Sequence, residues 1–127
     1  ADVVLHAGDF TEEWVYEDLR SRASLVAVHG NMDSSALKAK LPRVAEADVL
    51  GHAVAVAHRI QAIPKRGEHS LVITGHTHLP YIKVKAGTVY VNPGSPTVPI
   101  PPLLSKPTVA VLTIWSDRVE ASLVRVA

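Results

Sequence analysis

Leu71-Val72-Ile73-Thr74-Gly75-His76-Thr77-His78 is the stretch that decides how this chain reads. A short apolar, β-branched run bounded by glycine makes a buried strand, and the glycine lets the backbone turn sharply at its end. Two imidazoles follow at once, one residue apart. If that stretch is extended, His76 and His78 share a face; if it turns, they can face two different ions. Either way, the strand delivers metal-ligating side chains at its carboxyl end.

The same pattern recurs upstream. Val3-Val4-Leu5-His6 is a strand ending at Ala7-Gly8-Asp9, Leu25-Val26-Ala27-Val28-His29 is stopped by Gly30-Asn31, and Ala53-Val54-Ala55-Val56-Ala57 ends at His58. Helices are expected between the first strands. Thr11 can cap one, with Glu12 and Glu13 at the positive end of its dipole and Trp14, Val15 and Leu19 as its apolar stripe. Ser34 can cap a short second helix through Lys40, ended by Pro42. This βαβα rhythm predicts a parallel sheet with helices on it. Open sheets of this kind bind ligands beyond the carboxyl ends of their strands. Asp9, Asn31, His58, His76 and His78 can therefore converge at one rim, and a mixed N/O set without sulfur suits Mn, Fe, Co, Ni or Zn.

Downstream the strands shorten. Tyr81 to Lys85 and Thr88 to Val91 read as a hairpin around Ala86-Gly87, and Val109 to Trp115 and Val119 to Val126 as another around Ser116-Asp117. Between them, prolines 93, 96, 99, 101, 102 and 107 make an irregular, stiff loop. The apolar stretch 98–104 within it either meets a second copy of the chain or packs on its own domain.

The 127 residues are 47% apolar and 20% charged, the balance of one globular domain spanning 1–127 rather than a disordered chain. A net charge of +1 gives no basic field that would indicate nucleic acid. The absence of cysteine removes disulfides and thiolate metal sites and fits a cytoplasmic protein. No run reaches the roughly 18 apolar residues of a membrane span.

His6-Ala7-Gly8-Asp9, Gly30-Asn31-Met32-Asp33, Gly75-His76-Thr77-His78 and Asn92-Pro93-Gly94-Ser95, in this order, resemble the calcineurin-like metallophosphoesterases, and most of all the small bacterial and archaeal phosphodiesterases. The resemblance implies an α/β fold: a four-layer α/β/β/α sandwich of two mixed sheets flanked by helices. It implies two divalent ions, manganese first among them, and hydrolysis of a small phosphodiester or nucleotide-type substrate by a metal-bridging hydroxide. Carried over, Asp9 bridges the metals, Asn31, His58 and His76 complete the second site, and His78 belongs to the first. The segment Asn92 to Thr97 either contacts substrate phosphate or is a tight structural turn.

Two departures stand beside the match. The family opens on a strand ending in Asp-x-His, and no such motif precedes residue 1, so a first strand is expected to be missing. After His58 the family's glycine is replaced by Arg59. His69 reads as a solvated loop histidine, and His6, His29 and His52 as structural or exposed. The alternative function is a non-catalytic scaffold of the same fold, like the retromer subunit that shares Gly-His-Thr-His. Intact Asp9 and Asn31 favour the enzyme.

Overall fold

Short β-branched runs punctuated by glycine fold as strands almost throughout this chain. The structure is a computed structural model that describes residues 3–8, 10, 13–22, 24–31, 33–63, 69–77, 80–94 and 108–125. In chain order the elements are β1 (Val3–His6), α1 (Glu13–Arg22), β2 (Ser24–Ala27), α2 (Ser35–Lys40), β3 (Val44–Val49), β4 (His52–Ala57), a 3₁₀ turn (Ile60–Ala62), β5 (Leu71–Thr74), β6 (Tyr81–Lys85), β7 (Thr88–Asn92), β8 (Thr108–Ile114) and β9 (Val119–Arg125).

β1 and β2 pair in parallel, from Val3↔Ser24 to His6↔Ala27. The larger sheet has five strands in the order β3-β4-β5-β7-β6. Its three central strands run parallel and its two edges antiparallel. β8 and β9 form an antiparallel hairpin. The fold is thus α/β with a mixed sheet, as the sequence predicts.

Side-chain alternation sorts the core. Val54, Val56, Leu71 and Ile73 lie on one face of the large sheet. There they join Val28 and Val91, with Leu5, Val26, Leu112 and Ile114 packed around them. This is the seam where β1, β2 and β8 meet the large sheet. The intervening Ala55, Ala57 and Val72 face the opposite way, beneath Ile63. A third cluster of Phe10, Ala27 and Leu37 holds the helices to the outer face of β2, using Val15, Tyr16 and Leu19 of α1. Trp14, expected in that stripe, is 66% exposed; the core-facing sector of α1 is centred on Val15 and Leu19, four residues apart, and Trp14 falls outside it.

α2 begins as its sequence predicts, with the Ser34 hydroxyl accepting from Leu37 N–H. The Thr11 cap lies outside the described residues. One strand is new. β3 pairs with β4 along its whole length, from Val44↔Ala57 to Val49↔His52. Its turn places Leu50 at φ 51° and Gly51 at φ 85°, the backbone of a type I′ hairpin. Neither residue of Leu50-Gly51 announces that turn as Asn-Gly would. No helix among the described residues is long and apolar enough to cross a membrane.

Candidate metal centre

Three of the expected ligands meet. Asn31 follows β2, while His58 and His76 follow the adjacent parallel strands β4 and β5. The β4–β5 ladder continues one step past the strands, with Gly75 N–H donating to the His58 carbonyl at 3.0 Å. That rung sets the two histidines side by side, their rings edge to face at 5.0 Å. Asn31 Oδ1 lies 2.8 Å from His58 Nε2 and 3.2 Å from His76 Nδ1, and the two nitrogens are 3.1 Å apart. The donor atoms form a nearly equilateral triangle drawn from both sheets.

The protonation of His58 follows from its other nitrogen. Nδ1 lies 2.7 Å from the Ala7 carbonyl, which can only accept, so Nδ1 carries the proton and donates it. In the neutral ring Nε2 then presents its lone pair to the triangle. Asn31 turns its carbonyl oxygen to both rings. A lone pair and a carbonyl oxygen at 2.8 Å repel unless a proton or a cation lies between them. One proton relieves one edge of the triangle; one cation relieves all three. Edges of 2.8, 3.1 and 3.2 Å would let the three atoms face one cation together. Among the described residues, no three His, Cys, Asp or Glu side chains gather into a ligand group; the triangle is two imidazoles and a carboxamide. The carboxylate that would join it is Asp9. Asp9 and His78 lie outside the described residues.

Each donor is held by a named contact. Gly30 N–H donates to Asp33 Oδ2 at 2.7 Å, and Asp33 N–H to the Gly30 carbonyl at 3.3 Å, closing a loop around Asn31. Asp33 is itself buried. His6 Nδ1 accepts from Gly8 N–H at 3.2 Å and its ring stacks on Phe10 at 3.6 Å. Gly8 itself adopts φ 95°. A Cβ there would meet Gly30 N at 2.6 Å, so the β1 and β2 loops touch through bare backbone. His76 sits at φ 68°, and Thr77 N–H donates across it to the Gly75 carbonyl at 2.8 Å. Those two facts define a γ-turn with His76 at its centre, a strained backbone for a residue with a side chain.

Asn31 is exposed at the surface, whereas His58 is 6% exposed. The triangle is therefore rooted in the core and open to solvent on the Asn31 side. His52 lies elsewhere, bonded through Nε2 to the Trp115 carbonyl at 2.8 Å. His69 corrects its sequence reading. It is buried, at the far end of β5 from the centre, with Nε2 3.5 Å from Glu46 and Nδ1 without a hydrogen-bond partner among the described residues. The sequence reading gave no role to the Ala7 carbonyl or Asp33. A backbone acceptor has no residue signature, but an aspartate two residues after a turn asparagine is a recognisable loop closer.

Comparison with known proteins identifies the family. Residues 1–117 match the calcineurin-like phosphoesterase superfamily domain. A probable metallophosphoesterase of Methanocaldococcus jannaschii is 32% identical over 134 residues, covering 97% of this chain and 66% of its own. The chain thus spans just under two thirds of that relative. Among solved structures, an archaeal phosphodiesterase superposes with a TM-score of 0.77 at 21% identity, over 98% of this chain and 84% of that one. Vps29 of Entamoeba histolytica, complexed with Zn²⁺, superposes with a TM-score of 0.72 at 25% identity, over 98% and 82%.

Proposed function

Since the chain belongs to the calcineurin-like phosphoesterase superfamily, we propose that it is a divalent-metal-dependent phosphodiesterase acting at the rim where Asn31, His58 and His76 meet. The observation that carries this reading is the triangle of donor atoms with edges of 2.8, 3.1 and 3.2 Å. His58 Nε2, His76 Nδ1 and Asn31 Oδ1 would hold one ion. In this reading Asp9 would supply the bridging carboxylate and His78 a ligand to the first of two ions. A divalent ion there supplies Lewis-acid charge to the oxygens of a phosphate ester.

The described donors suit that task. All three are neutral when bound, so they leave the ion's charge uncancelled and available to an anionic substrate. Their open side faces solvent, which admits a small phosphodiester or a nucleotide-type ligand. Manganese is the first metal to try, because a set of nitrogen and oxygen donors without sulfur suits it. The Ala7 carbonyl keeps His58 in the ligating tautomer, a second-sphere contact of the kind that tunes metal sites.

The test is calorimetry with Mn²⁺ alongside hydrolysis of bis(p-nitrophenyl) phosphate, on the full-length parent, Asp9→Ala and His76→Ala. Binding and turnover in the parent, both lost in the variants, is the expected result. A parent that binds no divalent ion would sink the proposal. Binding without turnover would turn the reading to a metal-holding scaffold of the same fold, which the likeness to zinc-bound Vps29 favours.

A further inference from the structure

Asn92 ends β7, the neighbour of β5 in the parallel sheet. It is 3% exposed and its whole carboxamide is engaged. Nδ2 donates to the Gly75 carbonyl at 3.1 Å and to Thr77 Oγ1 at 3.1 Å, while Oδ1 accepts from Gly94 N–H at 2.9 Å. The orientation is unambiguous: Gly94 N–H can only donate and the Gly75 carbonyl can only accept, so a flipped amide would lose both bonds. The two groups that Nδ2 grips belong to the residues on either side of His76.

From this geometry we infer that Asn92 is a positioning residue for the metal centre, clamping the strained γ-turn that aims His76 Nδ1 at His58 and Asn31. This rests on the metal-binding reading above. The physical case is one of strain and restraint. A residue with a side chain reaches φ 68° only when its surroundings over-determine it. The Thr77 N–H to Gly75 carbonyl bond closes the turn from inside. Asn92 closes it from outside, fixing both ends to a buried strand terminus. Without the clamp, His76 can relax toward φ < 0, and its ring then leaves the triangle. Asn92 bonds to Gly75, Thr77 and Gly94 and to none of the three donor atoms, so its effect passes through His76. Its bond to Gly94 also ties the turn to the loop after β7, which joins the two conspicuous motifs Gly75-His76-Thr77-His78 and Asn92-Pro93-Gly94-Ser95 into one device.

The experiment compares Mn²⁺ affinity by calorimetry in the full-length parent, Asn92→Leu, Thr77→Val and Thr88→Val, with amide hydrogen exchange at Thr77 in metal-free protein. Asn92→Leu keeps the volume and removes all three bonds. Thr77→Val removes one arm of the clamp at an exposed residue and leaves the core intact, so it answers even if Asn92→Leu folds poorly. Thr88→Val is the structural control, because Thr88 is equally buried at the other end of β7 and its hydroxyl donates to the His69 carbonyl at 2.6 Å, away from the centre. The expected result is a loss of Mn²⁺ affinity of about 10- to 100-fold in Asn92→Leu, the range for second-sphere partners. A smaller loss is expected in Thr77→Val and none in Thr88→Val, and Thr77 N–H loses its exchange protection in Asn92→Leu alone. Folded Asn92→Leu or Thr77→Val that binds Mn²⁺ as tightly as Thr88→Val overturns the inference while leaving the metal reading intact. A parent that binds no Mn²⁺ overturns both.

Discussion

A Cβ on residue 8 would lie 2.6 Å from Gly30 N, 2.8 Å from Gly30 Cα and 2.9 Å from the His29 carbonyl carbon, all backbone atoms that cannot swing aside. Gly8 also adopts φ 95°. Gly87 shares the second constraint but not the first, since its φ is 82° and nothing lies within 4 Å. The pair separates contact from conformation. Gly87→Ala is expected to lower stability by about 1 kcal/mol, the cost of an unfavourable φ. Gly8→Ala should cost about 3 kcal/mol or more, because it adds overpacking at a fixed site. Urea unfolding of both variants measures the difference; equal losses would mean that the β1 and β2 loops do not touch as described. Residue chemistry of this kind is the most legible part of the site. Asn31, His58 and His76 stand out as candidate ligands because each follows an apolar strand, and the structure brings their polar atoms together. The contacts that hold them are less legible, because the Ala7 carbonyl and the Gly8–Gly30 approach are made by backbone alone.

At the scale of elements, the two β-hairpins of the large sheet carry the same defect. Leu50-Gly51 between β3 and β4, and Ala86-Gly87 between β6 and β7, each put a non-glycine residue at φ 51°. Type I′ turns need φ > 0 at both positions, which asparagine tolerates far better than leucine or alanine. Leu50 is also 61% exposed, so its side chain gains little from burial. Leu50→Asn and Ala86→Asn are each expected to raise stability by about 0.5–1 kcal/mol, read as a rise of a few degrees in melting temperature. No rise in either would argue that the turns are not type I′. The same turn chemistry explains why β3 is hidden in the sequence. Val44-Ala45-Glu46-Ala47-Asp48-Val49 is an edge strand with acidic residues on one face, and Leu-Gly marks its end only weakly. The buried strands β4 and β5 have no such ambiguity, being apolar on both faces.

For the whole molecule, the decisive fact is that the candidate centre takes Asn31 from the loop after β2 and both histidines from the large sheet. An ion bound there would add a cross-link between two sheets that already meet through apolar packing around Val28, Val54, Val56, Leu71, Ile73 and Val91 and through the His58 bond to the Ala7 carbonyl. Binding to the folded state alone stabilises by about 2.7 kcal/mol when the free ion is at 100 times its dissociation constant. Mn²⁺ should therefore raise the melting temperature of the parent, EDTA should reverse the rise, and His76→Ala should abolish it. Leu71→Ala tests whether that linkage is independent of the core. Leu71 is fully buried at the start of β5, three residues before the strand's end at Thr74, roughly 10 Å of extended chain. Its truncation is expected to cost about 2–5 kcal/mol through the cavity it leaves. At that separation the two effects should add. The Mn²⁺-induced gain in unfolding free energy would then be the same in Leu71→Ala as in the parent, although the variant starts lower. A gain that shrinks with the core would mean that the cavity deforms the triangle, and that the strands transmit packing to the ligands rather than merely carrying them.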